Sequence, residues 1–213
     1  MSVTDEFVAK GLTITTEVSD NRFKMIDSGA IEIETGELVY GLVRRLKPKQ
    51  CLSTGIYTGI SDLYIAKALQ DNGSGSLTAL EIDTFHIQRA KELWNKVGVS
   101  EYIIPVHISS LDYISTGEYQ FLFLDSEPSI RLNELVRFYP FVSPRGFIMV
   151  HDLPPDQCRG NVNTDHPDFP NWPIGEIPKE FDELIKTRKL LPSYFPDARS
   201  LSIFYKPTER DFI

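Results

Sequence analysis

From residue 34 onward the chain alternates between two hydrophobic rhythms. In "ETGELVYGLVRRLK" (34–47), Leu38, Val39, Leu42, Val43 and Leu46 recur every three or four positions, which predicts an amphipathic helix. Thr35 is its expected N-cap and Pro48 its stop. "QCLST" (50–54) then reads as a short strand. "GISDLYIAKALQDN" reads as a helix with Ile60, Leu63, Tyr64 and Ala68 turned inward. A turn at 72–76 leads to a strand, "LTALEI" (77–82), and to a helix carrying Ile87, Ala90, Trp94 and Val97 on one side, closed by Gly98. "YIIPVHI" (102–108) is a weaker strand, because Pro105 confines it to an edge or a terminus. "YQFLFLD" (119–125) and "GFIMVHD" (146–152) are strands separated by a helix with Leu132, Leu135, Val136 and Tyr139 inward.

Strands alternating with helices predict an α/β fold: a Rossmann-like, doubly wound, mostly parallel sheet with helices on both faces. The continuous apolar runs "FLFL" and "FIMV" suit parallel strands buried on both sides. A helix near 178–189 and a last strand, "LSIFYK" (201–206), antiparallel to the others, complete the pattern. The expected organisation is a single domain over 1–213. Residues 1–30, polar and poorly periodic, form an arm or lid that orders on binding or on assembly of a homodimer; 34–153 form the core; and the Pro- and Asp-rich 153–178 form a long loop on the ligand side.

Composition narrows the partners. The 213 residues carry a net charge of −8 and no dense Lys/Arg block, which argues against nucleic acid and for a small molecule. No apolar stretch approaches the roughly 20 residues that cross a bilayer, and the N-terminus lacks a basic-then-apolar signal. A cytoplasmic location without membrane attachment is the expectation. Cys51 in an apolar strand and Cys158 in a polar loop do not suggest a disulfide framework.

The candidate chemistry lies at the strand ends, where ligands sit in such sheets. Gly55 and Gly59, in "STGIYTGIS" (53–61), follow a strand and precede a helix, so backbone and helix N-terminus can approach a polar ligand. Glu81 ends the next strand 22 residues after Gly59, where a carboxylate can grip a ribose diol; Asp83 is a second candidate. A dinucleotide loop needs a third glycine for the pyrophosphate. Here the third glycine is missing and bulky Tyr57 is present, which disfavours a nicotinamide- or flavin-dependent oxidoreductase and favours an adenosine cofactor without a pyrophosphate. Asp125 and Asp152 end the two apolar strands.

Together "TGIYTGISDLYIAKAL", "LEID", "FLD" and "YPFVSPRGFIMVHD" resemble the class I S-adenosylmethionine-dependent methyltransferases, over about residues 34–153. The loop is similar to that of catechol O-methyltransferase, and the last strand to that of bacterial methyltransferases of secondary metabolites and sugar hydroxyls. The resemblance implies transfer of a methyl group from S-adenosyl-L-methionine to a small-molecule hydroxyl. It implies that Ser53, Gly55, Tyr57, Gly59 and Ser61 lie around the methionine moiety, that Glu81 holds the ribose with Ile82 against adenine, and that Ser109 and Ser110 meet the adenine edge. Asp125 would lie near the amino group or, with Asp152, hold Mg2+ or another divalent cation, to which Glu127 could add an oxygen.

Three departures stand against it. Ser53 occupies a place where the family has a carboxylate, so a charge-assisted bond to the cofactor ammonium is lost. Leu153 follows Asp152 where metal-dependent members have Asn. "DSEPSIR" offers no base after the fourth strand, where the family has Lys or His. His151 and Asp152 are therefore the expected catalytic pair, with a hydrogen-bonded structural His as the equal alternative for His151. His166 is the runner-up base, Trp172 a candidate wall of the acceptor pocket, and His86 and His107 structural. The competing functional expectation is a catalytically degenerate binding or partner protein on the same fold.

Overall fold

The computed structural model describes residues 2–15, 23–27, 30–153, 177–195 and 199–212. His166, Trp172, Cys158 and nearly all of the 153–178 loop lie outside the described residues. The chain forms two compact units, Met1–Ser109 and Ser110–Ile213.

The first unit opens with helix α1 (Val3–Ala9), where the sequence pattern suggested only an arm. The signal was a capping box: the Ser2 hydroxyl accepts from the Asp5 N–H and the Asp5 carboxylate accepts from the Ser2 N–H. Phe7 is buried edge-on against Tyr64, with ring centroids 5.0 Å apart, and Thr4 bridges the Tyr64 hydroxyl (2.7 Å) and Glu37 (2.5 Å). Burying one such ring contributes about 1.5–3 kcal/mol, enough to hold a helix this short against its neighbours. Two short antiparallel strands follow, β1 (Ile14–Thr15) and β2 (Met25–Ile26).

Helix α2 (Ile33–Leu46) starts three residues earlier than the Thr35 cap implied. Glu32 is the N-cap residue, and Thr35 donates its hydroxyl to Glu32 instead (2.9 Å). Val39 and Val43 are buried as expected, but Leu38 is exposed. The inward face instead includes Gly36, whose missing side chain admits the Tyr64 ring. The helix ends at Lys47, in the left-handed region at φ 49°, one residue before Pro48.

The remaining elements of this unit are β3 (Gln50–Thr54), α3 (Ile60–Asn72), β4 (Ser76–Glu81), α4 (Thr84–Val97) and β5 (Ile103–His107). Strands β3 and β5 pair with β4 on either side, both parallel. Strand β5, with Pro105, pairs with β4 and ends the row, as the proline required. Cys51 is fully buried and free, and burial pushes its thiol pKa far up, so it packs as a small hydrophobe.

The second unit contains β6 (Tyr119–Leu124), α5 (Arg131–Phe138), β7 (Val142–His151), α6 (Lys179–Lys186), β8 (Leu191–Phe195) and β9 (Leu201–Tyr205). Strands β6 and β7 are parallel; β9 runs antiparallel to β7, and β8 antiparallel to β9. The predicted antiparallel C-terminal strand is thus present, and β8 accompanies it. Both units follow the predicted architecture of parallel strands joined by helices. Among the described residues no helix is long and apolar enough to cross a membrane.

Candidate functional site

In the first unit, β3 leads into a loop whose alternate residues are left-handed: Gly55 at φ 78°, Tyr57 at φ 47° and Gly59 at φ 79°. Glycine adopts this conformation freely, whereas a bulky aromatic does so only when its surroundings hold it. Tyr57 is held by its backbone N–H, which donates to Glu81 Oε2 at 3.1 Å, and by an edge-on contact with His86, with ring centroids 5.1 Å apart. Gly59 is fixed from below, where Trp94 Nε1 donates to its carbonyl at 2.9 Å.

Glu81 is buried at the end of β4, and its other oxygen accepts from the N–H groups of Ile82 (2.8 Å) and Asp83 (3.0 Å). A carboxylate has about four lone-pair directions, so these three bonds leave room for a ribose hydroxyl. Around it the large apolar side chains of Tyr57, Ile82 and Phe85 stand exposed; Ile82 is 70 % exposed. An acidic anchor rimmed by exposed apolar side chains suits a nucleoside: the sugar on the carboxylate, the base against the hydrocarbon. Asp83, the alternative anchor, instead caps α4 by accepting from the Phe85 N–H (2.8 Å). His107 bonds the Ile82 carbonyl (3.0 Å), in keeping with its structural assignment.

Ser53 is buried, and its hydroxyl donates to Asp62 Oδ1 at 2.6 Å. The carboxylate missing from the end of β3 thus has a counterpart in the first turn of α3, beside Ser61. Asp62 was overlooked because an acidic residue in a first helical turn reads as a solvated charge on the macrodipole. Its place between the inward-facing Ile60 and Leu63 was the available signal. Ser109 is half-buried and Ser110 buried, each just beyond β5. A cavity of about 250 Å³ beside the glycine loop is lined by Leu12, Ile26, Asp27, Thr58, Ile60 and Arg89.

The second unit gathers a cluster at the ends of β6 and β7. His151 is fully buried; its Nδ1 lies 3.2 Å from Asp125 Oδ1 and 3.5 Å from Asp152 Oδ2. Its burial and its bond to Asp125 are the geometry of the structural alternative, a hydrogen-bonded His at a strand end. Burial alone would raise the Asp125 pKa, but the neighbouring His151 and the guanidiniums of Arg131 and Arg199 outweigh it and hold the carboxyl below its ordinary range.

Arg131 was missed altogether. In "DSEPSIR" it reads as a surface charge, yet its side chain is only 3 % exposed. It donates to Asp125 Oδ1 (3.0 Å), to the His151 carbonyl (2.7 Å) and twice to the Ser126 carbonyl (2.6 and 3.0 Å), and it lies 3.4 Å from Asp152 Oδ2. Arg199 donates to the same Asp152 oxygen at 2.6 Å. Asp125, His151 and Asp152 do bring ligand-capable atoms within 4.8 Å of one another. A divalent ion there would nonetheless meet a buried guanidinium. At about 4 Å and an effective dielectric constant of about 20, that repulsion is on the order of 8 kcal/mol. The donor set therefore does not fit the divalent cation expected at Asp125 and Asp152, and Glu127 is exposed.

Residues 52–153 match the family described as a methyltransferase domain. A caffeoyl-CoA O-methyltransferase from Stellaria longipes is 28 % identical over 121 residues, 53 % of this chain and 49 % of that protein. A probable caffeoyl-CoA O-methyltransferase of Dictyostelium discoideum is 31 % identical over 93 residues, covering 40 % of each chain. The chain spans about two fifths to half the length of these curated relatives. In fold it is similar to the O-methyltransferase TomG from Streptomyces achromogenes, solved with S-adenosylmethionine, at a TM-score of 0.66 and 18 % identity over 84 % of this chain and 82 % of that one. An O-methyltransferase from Bacillus cereus, solved with S-adenosylhomocysteine, gives a TM-score of 0.68 at 15 % identity, covering 84 % of each chain. These neighbours share the Rossmann-like, mostly parallel sheet flanked by helices.

Proposed function

We propose, from a chain whose residues 52–153 match the methyltransferase-domain family, that this protein is a class I methyltransferase that transfers a methyl group from S-adenosyl-L-methionine to a hydroxyl of a small molecule. The observation that carries this reading is the Glu81 carboxylate, tied to the glycine loop through Tyr57 and rimmed by exposed apolar side chains. Bound there, the cofactor would supply a methyl group on a cationic sulfonium, activated for in-line displacement.

The chain's own residues bind and orient. Glu81 would accept from the ribose hydroxyls, and Ile82 would cover the adenine, with Ser109 near its edge. The backbone of Gly55–Gly59 and the hydroxyl of Ser61 would hold the methionine moiety. Asp62 supplies the negative charge that Ser53 lacks, on the Ser53 side of that loop. Methyl transfer of this kind draws much of its rate from positioning, which suits a chain whose buried His151 is committed to Asp125. The acceptor class rests on the O-methyltransferase relatives. A homodimer and a cytoplasmic location remain the expected setting.

The test is calorimetric titration with S-adenosylhomocysteine, followed by methyl transfer to a panel of phenolic and sugar hydroxyls. Saturable binding and a methylated product are expected; absence of binding would overturn the reading. Glu81→Ala should weaken S-adenosylhomocysteine binding by about 1–3 kcal/mol, the usual loss for a charged hydrogen-bond partner. Glu81→Gln, which keeps an acceptor for the Tyr57 N–H, should lose less. Equal affinity in all three proteins would reject the ribose role.

A further inference from the structure

We infer that Arg131 is a built-in cation at the Asp125–His151–Asp152 cluster, doing there what a divalent ion would do, and that the chain binds no divalent metal at this place.

A hard divalent ion in such a cluster would recruit carboxylate oxygens and main-chain carbonyls. Here those oxygens are already engaged by guanidinium. Asp125 Oδ1 receives Arg131 and faces His151 Nδ1; Asp152 Oδ2 receives Arg199 and faces Arg131; the carbonyls of Ser126 and His151 receive Arg131. The two carboxylates, Asp125 and Asp152, thus each face a buried or half-buried guanidinium, from Arg131 and Arg199. Asp152 Oδ1 is buried and without a hydrogen-bond partner among the described residues. With Asp125 Oδ2, which receives neither guanidinium, it leaves two carboxylate oxygens, a sparse protein share of the octahedral set that Mg2+ demands.

The planar fork also suits the geometry better than a lysine would. Arg131 reaches its acceptors through all three of its nitrogens, linking the ends of β6 and β7 to the first residue of α5. A metal would link the same two strand ends, but reversibly and with pH-dependent occupancy. The arginine makes that link permanent.

The inference stands on the cluster alone and not on methyl transfer, so its test reads metal binding and melting. The chain, first stripped with chelator, is titrated into Mn2+ and free ion is followed by its paramagnetic resonance signal. No saturable binding is expected, and the melting temperature should be the same in chelator and in millimolar Mg2+ or Mn2+. One Mn2+ bound per chain, lost in Asp152→Asn, would overturn the inference. Arg131→Met should melt well below the parent. That loss should shrink markedly when Asp125→Asn and Asp152→Asn are also present, because the cation then has nothing to neutralise. An undiminished loss would mean that Arg131 acts by packing, and would equally overturn it. If Arg131→Met fails to fold, the parent protein's Mn2+ titration still decides.

Discussion

Asp152→Ala is expected to lower the free energy of unfolding by about 3–5 kcal/mol, the range for breaking one side of a buried ion pair. The Asp152 side chain is 3 % exposed, and it balances Arg199 at 2.6 Å and Arg131 at 3.4 Å. Its removal leaves buried guanidinium short of countercharge. Asp152 also adopts φ 51°, with its N–H bonded to the Ser200 carbonyl at 2.9 Å, a conformation that alanine tolerates less well. Urea unfolding measures the loss directly, and a change below about 1 kcal/mol would place the pair among weak surface contacts.

The same cluster sets a pH dependence. The Asp125 pKa lies below its unfolded value, so its contribution is fully present above the ordinary carboxylate range near pH 4 and is lost as pH falls through the folded value. Acid unfolding should therefore steepen below about pH 4. Asp125→Asn should flatten that limb while lowering stability at neutral pH.

Gly59→Ala should cost stability and cofactor affinity together. A methyl group at this position would lie 2.7 Å from Ala90 Cβ and 2.8 Å from Trp94 Nε1, and the backbone is left-handed at φ +79°. The conformation alone costs about 1–2 kcal/mol and overpacking about 1–3 more. Relief requires the loop to lift from α4, which breaks the Trp94 bond to the Gly59 carbonyl. Denaturant unfolding and S-adenosylhomocysteine titration of one sample separate the two effects. An unchanged protein would show that the loop has slack which its packing denies.

The periodic part of the fold was readable from the chain. Strands β3, β4, β6 and β7 and helices α3 and α4 fall where apolar runs and helical spacing put them, because burial selects those patterns. Gly98, at φ 85°, closes α4 as predicted. What escaped was polar. Helix α1 is marked by a capping box, not by an apolar stripe. Strand β8 carries Pro192 and pairs on one side, with β9, so it has no apolar run to announce it. Glu81 stood out as a candidate because an acid after a strand at that spacing has a known use. Arg131 and Asp62 did not, because burial of a charge is decided by partners distant in sequence or facing inward across a turn. Arginine and aspartate in short polar stretches look alike whether they face solvent or a countercharge.

One bond in the first unit carries a kinetic implication. With the Tyr57 N–H on Glu81, the loop is already folded around the carboxylate proposed to anchor the nucleoside. Ligand capture then need not wait for the chain to organise itself, and the entropy of ordering the loop is absorbed during folding rather than at each encounter. Association should be limited by diffusion and orientation. Differences in affinity among variants of this loop should appear in how long the nucleoside stays.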